Sequence, residues 1–174
     1  MSPQIRIEDE EIYLRELNEN DASEEYCSWL NDPVTNQYIV TRKATVEGLR
    51  KYIREKKNST TCLFFGIFDN KTKKHIGNAK LEPIDFKKKT ADLGILIGEK
   101  DYWGRGICTR CVKLLVKYAF EQLDINRVQL EVFPKNIAAI KCYKKVGLKI
   151  ETIEEGGFKI GSNSYDKIIM AIER

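Results

Sequence analysis

The residues with the plainest chemical potential lie between positions 95 and 109, Ile95-Leu96-Ile97-Gly98-Glu99-Lys100-Asp101-Tyr102-Trp103-Gly104-Arg105-Gly106-Ile107-Cys108-Thr109. An apolar run passes through a glycine-bearing loop into a segment with helical spacing, which predicts a buried strand, a turn and a helix N-terminus. The first amides of a helix have no partner inside it and the dipole is positive there, so such a loop suits phosphate. Gly104 and Gly106 would let an anion approach the backbone closely, and Arg105 would add a charge-assisted bond. The same glycines would equally serve a plain tight turn. Two common phosphate loops are excluded: there is no G-x-x-x-x-G-K-[ST], and Thr109 stands where G-x-G-x-x-G needs its third glycine.

The elements that must hold this loop follow from periodicity and turn residues. Residues 12–17 predict a first strand, and Asn20-Asp21 a cap for a helix carrying Tyr26, Trp29 and Leu30, ended by Pro33. Thr45 opens a second helix with Val46, Leu49 and Ile53 on one stripe, closing at Lys57. Residues 61–68 and 75–84 read as a hairpin around a polar turn, and residues 91–98 as a mostly apolar central strand. A long helix over residues 104–123 leads to a strand at 128–133. A short helix capped by Asn136 and closed by Gly147 then precedes strands at 150–153 and 164–172. The expected fold is α+β, with a mixed, mostly antiparallel sheet of about seven strands and about four flanking helices. No repeat, linker or low-complexity tract divides the chain, so one domain spans residues 1–174.

The chain has 174 residues, 42% of them apolar and 32% charged, which describes an ordinary globular protein with enough material for a core. Its 30 basic and 26 acidic residues leave a surplus of four, too small for a nucleic-acid footprint. No apolar run approaches the ~18 residues of a membrane span, and the early acidic run at 8–11 is unlike a signal peptide. Five cysteines, an odd count without dense spacing, suggest reduced thiols and a cytoplasmic protein. Cys108 and Cys111 form a C-x-x-C pair at helical spacing. No thioredoxin-like pattern precedes it and zinc would need two more ligands, so they read as small hydrophobes and no metal is expected.

Ala91-Asp92-Leu93-Gly94-Ile95 to Gly98, followed by Tyr102-Trp103-Gly104-Arg105-Gly106-Ile107-Cys108-Thr109, resembles the acetyl-CoA signature of the GNAT superfamily of N-acetyltransferases. About thirty residues on, Leu130-Glu131-Val132-Phe133-Pro134-Lys135-Asn136 and Ala138-Ala139-Ile140-Lys141-Cys142-Tyr143-Lys144-Lys145-Val146-Gly147-Leu148 resemble the second block of that family. The resemblance implies a GNAT-like fold that takes acetyl-CoA as co-substrate. Ile95, Leu96 and Ile97 would pair with the pantetheine arm. The amides of Trp103, Gly104, Arg105, Gly106, Ile107, Cys108 and Thr109 would hold the pyrophosphate. Asn136 would touch the cofactor near its pantetheine, and Tyr143 would be general acid to the departing thiolate. Asn136 also reads as an N-cap alone, and Tyr143 as a core aromatic. The family usually has Gln or Arg where this chain has Asp101, whose side chain is therefore expected to point away, with Arg105 and Lys100 supplying positive charge.

Transfer to an amine needs a neutral nucleophile, hence a base. Asp92 aligns with a frequent acidic position of the family, and Glu82 on the neighbouring strand is the second candidate. Either would equally serve in an ion pair. His75, beside a turn, reads as solvated surface. The acceptor pocket of this fold would be shaped by residues 29–39 and Arg42, where Trp29 and Tyr38 would stack on a base or sugar and Arg42 would meet a phosphate. Trp29 also reads as core. The block resembles a branch with acetylators of ribosomal-protein N-termini and of nucleotide-linked amino sugars. Residues 76–84 and 91–98 look most like members associated with surface-polysaccharide sugars. The favoured acceptor is a small-molecule amine, an amino-sugar nucleotide; a peptide N-terminus or a non-catalytic acyl-CoA-binding module are the alternatives. A homodimer is compatible with this reading.

Overall fold

Alternating apolar and polar residues from Ile12 onward build one mixed sheet. The computed structural model describes residues 4–39 and 43–174. Its elements are β1 (Arg6–Glu8), β2 (Ile12–Glu16), α1 (Glu24–Asn31), α2 (Val46–Lys57), β3 (Leu63–Asp69), β4 (His75–Asp85), β5 (Thr90–Ile97), α3 (Ile107–Gln122), β6 (Arg127–Val132), α4 (Ile137–Val146), β7 (Lys149–Ile160) and β8 (Asn163–Glu173). The eight strands run in the order β1-β2-β3-β4-β5-β6-β8-β7. Every neighbouring pair is antiparallel except β5 and β6. Those two are joined by α3, the long crossover that a parallel pair requires.

The strand faces divide the core in two. Phe65, Ile67, Leu81 and Leu93 pack with Cys111, Val112, Leu115 and Ala119 of α3. On the other face Leu17 and Phe64 pack with Tyr26, Trp29 and Leu30 of α1 and Leu49 and Ile53 of α2. The apolar stripes of both helices thus meet the sheet as their spacing predicts. No helix among the described residues is long and apolar enough to cross a membrane.

Three expectations need correcting. Asn20 and Asp21 do not cap α1: they lie in a separate 3-10 turn, Glu19–Asp21, because Asp21 bonds back to the Asn18 amide and to Arg15, and Ser23 is the cap instead. The sheet has eight strands among the described residues where the sequence predicts about seven, since the three-residue β1 is too short to show a period. β7 runs to Ile160 rather than Ile153. Its charged residues are exposed at the sheet edge, and Gly156, at φ +62°, lies where the register with β8 shifts, so the segment lacks an apolar alternation.

Candidate active site

The site begins where β5 and β6 part. Their parallel register covers Thr90↔Arg127, Ala91↔Val128 and Asp92↔Gln129 and then ends. Beyond it β5 stays paired with β4 as far as Ile97, and β6 with β8 as far as Val132. The strands therefore form a wedge, and residues 93–97 have no strand partner along one wall. The wedge opens into a cavity of about 1240 Å³ lined by Ile95, Leu96 and Ile97 on that wall and by Leu130, Val132, Phe133, Asn136 and Tyr143 opposite.

At the mouth lies the glycine loop. Gly104 and Gly106 have φ of +70° and +78°, a region L side chains rarely adopt, and a Cβ on either would meet nothing within 4 Å. Gly106 is the N-cap of α3 and supplies no side chain, whereas Ser23, Thr45 and Asn136 cap α1, α2 and α4 with theirs. The first intrahelical bond runs from the Arg110 amide to the Gly106 carbonyl, so the amides of Ile107, Cys108 and Thr109 precede it without intrahelical partners. The first turn carries no acidic residue. Open space, free amides and the positive helix end together fit a phosphate group.

The charges around the loop differ from expectation. Arg105 is exposed and stacks its guanidinium over Tyr102 at 4.7 Å, outside the cavity and facing a surface groove shared with Lys113, Lys117 and Lys145. Lys100 is paired with Asp32 and is not free to meet an anion. Asp101 is exposed. Inside the cavity the helix start therefore offers backbone donors, while Gly106 and Thr109 also border the groove that carries Arg105, Lys113 and Lys117. Trp103 lines the mouth, and its indole N–H donates to the Ile97 carbonyl at 2.8 Å, fastening the loop to the strand end.

Deeper in the wedge, Tyr143 on α4 is 6% exposed and lines the cavity, and burial raises the pKa of its phenol so that it stays protonated. Asn136 lines the cavity while its Oδ1 accepts from the Ala139 amide at 3.3 Å, so it is both cap and lining. Asp92 stands at the apex. Burial pushes its carboxyl above the usual value against the pull of a 2.8 Å bond from Gln129 Nε2. Glu82 is a poor base: although burial works the other way, Lys56 and Lys80 hold its carboxyl below the usual value.

Other placements correct the sequence reading. Trp29 lies in the core at 4% exposure and donates to Glu99 at 2.9 Å; it does not line the cavity. Tyr38 does line it, tilted against Phe133 at 5.9 Å, with its hydroxyl donating to the Lys135 carbonyl at 3.2 Å. Arg42 lies outside the described residues. His75 is not solvated: it stacks on Phe68 at 4.8 Å and meets Trp29 edge-on at 5.0 Å. Cys108, read as a reduced thiol and small hydrophobe, is joined to Cys142, because the first turn of α3 faces α4 with Cα atoms 6.3 Å apart; Cys27, Cys62 and Cys111 are buried thiols. The sequence reading missed Asn78 and Lys80. Their signal was the strict alternation Asn78-Ala79-Lys80-Leu81-Glu82, which on a central strand lines polar groups along one buried face.

Known proteins resemble this chain along nearly all of its length. The sequence profile described as "Acetyltransferase (GNAT) domain" matches residues 11–149. The "Probable N-acetyltransferase YjcK" of Bacillus subtilis (strain 168) is 32% identical over 169 residues, covering 92% of this chain and 93% of that protein. Spermidine N-acetyltransferase from Vibrio cholerae, solved with CoA and spermine, superposes with a TM-score of 0.85 at 20% identity over 95% of this chain and 96% of that one. Ribosomal-protein-S5-alanine acetyltransferase from Vibrio fischeri superposes with a TM-score of 0.81 at 20% identity, over 97% and 96%. At these identities the superpositions show the fold.

Proposed function

The chain belongs to the GNAT family of acetyl-CoA-dependent N-acetyltransferases, and on that premise we propose that it acetylates the amine of a nucleotide-linked amino sugar, with Asp92 as base and Tyr143 as acid. The observation that carries the site assignment is the wedge between β5 and β6 running into the uncapped start of α3. Acetyl-CoA, when bound, supplies a thioester carbonyl open to attack by an amine. The amides of Ile107, Cys108 and Thr109 hold the pyrophosphate, and the free edge of residues 93–97 pairs with the amide-bearing arm. Asp92 takes the proton from the incoming ammonium, a task for which its raised pKa suits it. Tyr143 keeps its proton at Oη and presents it to the sulfur end of the wedge.

Two features support a large, oxygen-rich acceptor. At about 1240 Å³ the cavity exceeds the roughly 300–1,000 Å³ of a single small-molecule site, leaving room for a second substrate beside the pantetheine arm. Its acceptor side carries the aromatic Tyr38 and the hydrogen-bonding row of Asn78 and Lys80. The test is mass spectrometry of reactions containing acetyl-CoA and either nucleotide-linked amino sugars or short peptides with free N-termini. A gain of one acetyl group on a sugar supports the reading. A gain on peptides alone moves the enzyme to protein N-termini, and binding of acetyl-CoA without any transfer marks a non-catalytic module.

A further inference from the structure

Asn78 is only 5% exposed, yet half of its amide is unused. His75 Nε2 bonds its Oδ1 at 2.8 Å, while its Nδ2 has no hydrogen-bond partner among the described residues. The residue lines the cavity on the face of β4 that looks toward α1 and α2, opposite Leu96 of β5. His75 is clamped among Phe68, Trp29 and Tyr26, with ring centroids 4.8, 5.0 and 5.8 Å away. Burial lowers the imidazole pKa against the pull of the Asn78 bond, so the ring is neutral near pH 7, and in the tautomer that carries its proton on Nε2 that N–H donates to the facing Oδ1. In this arrangement Nδ2 is the free end of the amide. A buried donor left unpaired is unfavourable unless something satisfies it.

The neighbouring groups on that face are already committed. Lys80 Nζ donates to Tyr52 Oη at 3.1 Å and to Glu82 Oε2 at 3.0 Å, and Glu82 is also paired with Lys56. The only carboxylate in this row is thus neutralised by two ammonium groups. What the face offers an incoming molecule is a donor without a partner among the described residues and positive charge, with the Asp92 carboxyl left for the reacting amine.

We propose that Asn78, oriented by His75, is a specificity-determining residue whose Nδ2 donates a hydrogen bond to an oxygen of the acceptor. The acceptor is then an amine with a carbonyl, hydroxyl or similar oxygen close by, and not a polyamine. A protonated polyamine carries only N–H donors, cannot accept from Nδ2, and meets the Lys80 ammonium. His75 is a positioning residue. The proposal rests on the N-acetyltransferase reading and adds the acceptor's chemical class.

The experiment compares a nucleotide-linked glucosamine, alanyl-alanine and spermidine as acceptors, with acetyl-CoA binding followed by calorimetry. The wild type is expected to favour at least one oxygen-bearing amine over spermidine by tenfold or more in kcat/KM. Asn78→Ala raises the KM for that amine at least tenfold while acetyl-CoA affinity stays within twofold, which also shows that the variant is folded. Asn78→Asp, isosteric but without the donor, loses the oxygen-bearing amine and gains on spermidine. His75→Ala shows the same KM effect, and His75→Gln, which keeps a donor near the Nε2 position, restores it. Acetylation of spermidine alone by the wild type, or unchanged selectivity in Asn78→Asp, overturns the proposal and leaves the N-acetyltransferase reading standing. A wild type that binds acetyl-CoA and acetylates none of the three overturns both.

Discussion

Gln129 Nε2 donates to Asp92 Oδ1 at 2.8 Å, and the same two residues are the last rung of the parallel register between β5 and β6. The proposed base therefore sits at the apex of the wedge, where two strands stop pairing and the cavity begins. Burial there raises the carboxyl pKa above its ordinary 3.8. A carboxyl whose folded pKa exceeds its unfolded value adds stability at low pH, and that stability is lost as pH rises through the folded value. Ionised Asp92 thus destabilises the fold at neutral pH. Asp92→Asn keeps an acceptor for Gln129 and removes the charge, so near pH 7 it is expected to melt at or above the wild-type temperature. Acetylation falls by about 10²-fold and the acidic limb of the pH profile disappears. A variant that melts lower and retains turnover refutes the assignment; calorimetry and steady-state kinetics on one preparation decide it.

Tyr143 gives a complementary prediction. Its ring is packed in the main core cluster, and its hydroxyl has no hydrogen-bond partner among the described residues. Tyr143→Phe leaves that packing intact, so the melting temperature is expected to hold. If the phenol protonates the leaving sulfur, kcat falls by about 10²-fold while acetyl-CoA affinity stays within twofold. Parallel losses in binding and turnover, measured by calorimetry and rapid quench, would make Tyr143 a packing residue of the wedge.

How much was legible beforehand depends on how local each signal is. The strand, glycine loop and helix at residues 95–109 are written in neighbouring residues, and there the expected order of elements is the observed one, although the helix begins at Ile107 and not at Gly104 because Gly104 and Gly106 take left-handed backbone. The fate of each carboxylate was not local. Glu82 is neutralised by Lys56, 26 residues away on another element, and Asp92 gains its Gln129 partner from 37 residues away. No period in the chain reveals either pairing. Trp29 shows the same limit: its aromatic character suggested stacking on a ligand, but it fills the space left by Gly98, where a Cβ would meet the indole at 2.0 Å. Asn78 was accessible in principle, because three polar residues at alternate positions of a buried strand have to face something other than the core.

The loop makes a prediction about backbone freedom. Gly106 caps α3 at φ +78° and lines the cavity, with nothing within 4 Å of the place a methyl group would take. Alanine there meets no clash and suffers only the left-handed conformation, about 1–2 kcal/mol. The protein should remain folded with a slightly lower melting temperature. Because the methyl enters the open space beside the free amides, acetyl-CoA affinity should drop about tenfold or more, roughly 1.4 kcal/mol. Isothermal titration with acetyl-CoA reads this directly, and unchanged affinity would remove Gly106 from the cradle.

The last prediction concerns acid stability away from the site. Arg15 grips both carboxylate oxygens of Asp21, at 2.7 and 2.8 Å, and Asp21 also accepts the Asn18 amide at 2.8 Å. Burial pushes the Asp21 pKa up, but these bonds outweigh it and hold the carboxyl below its ordinary 3.8. A depressed carboxyl contributes stability that is fully present above the unfolded value and lost as pH falls through the folded one. Asp21→Asn keeps the size of the side chain but leaves Arg15 without its charged partner, which should remove about 1–3 kcal/mol near pH 7. The difference between variant and wild type should shrink as pH drops below 3.8, because the unfolded wild-type chain then takes up the proton before the folded one does, and at the lower folded value protonation removes the interaction itself. Urea titrations at pH near 7 and near 3 test this: a gap that persists at the lower pH would mean that Asp21 acts through packing and not through its charge.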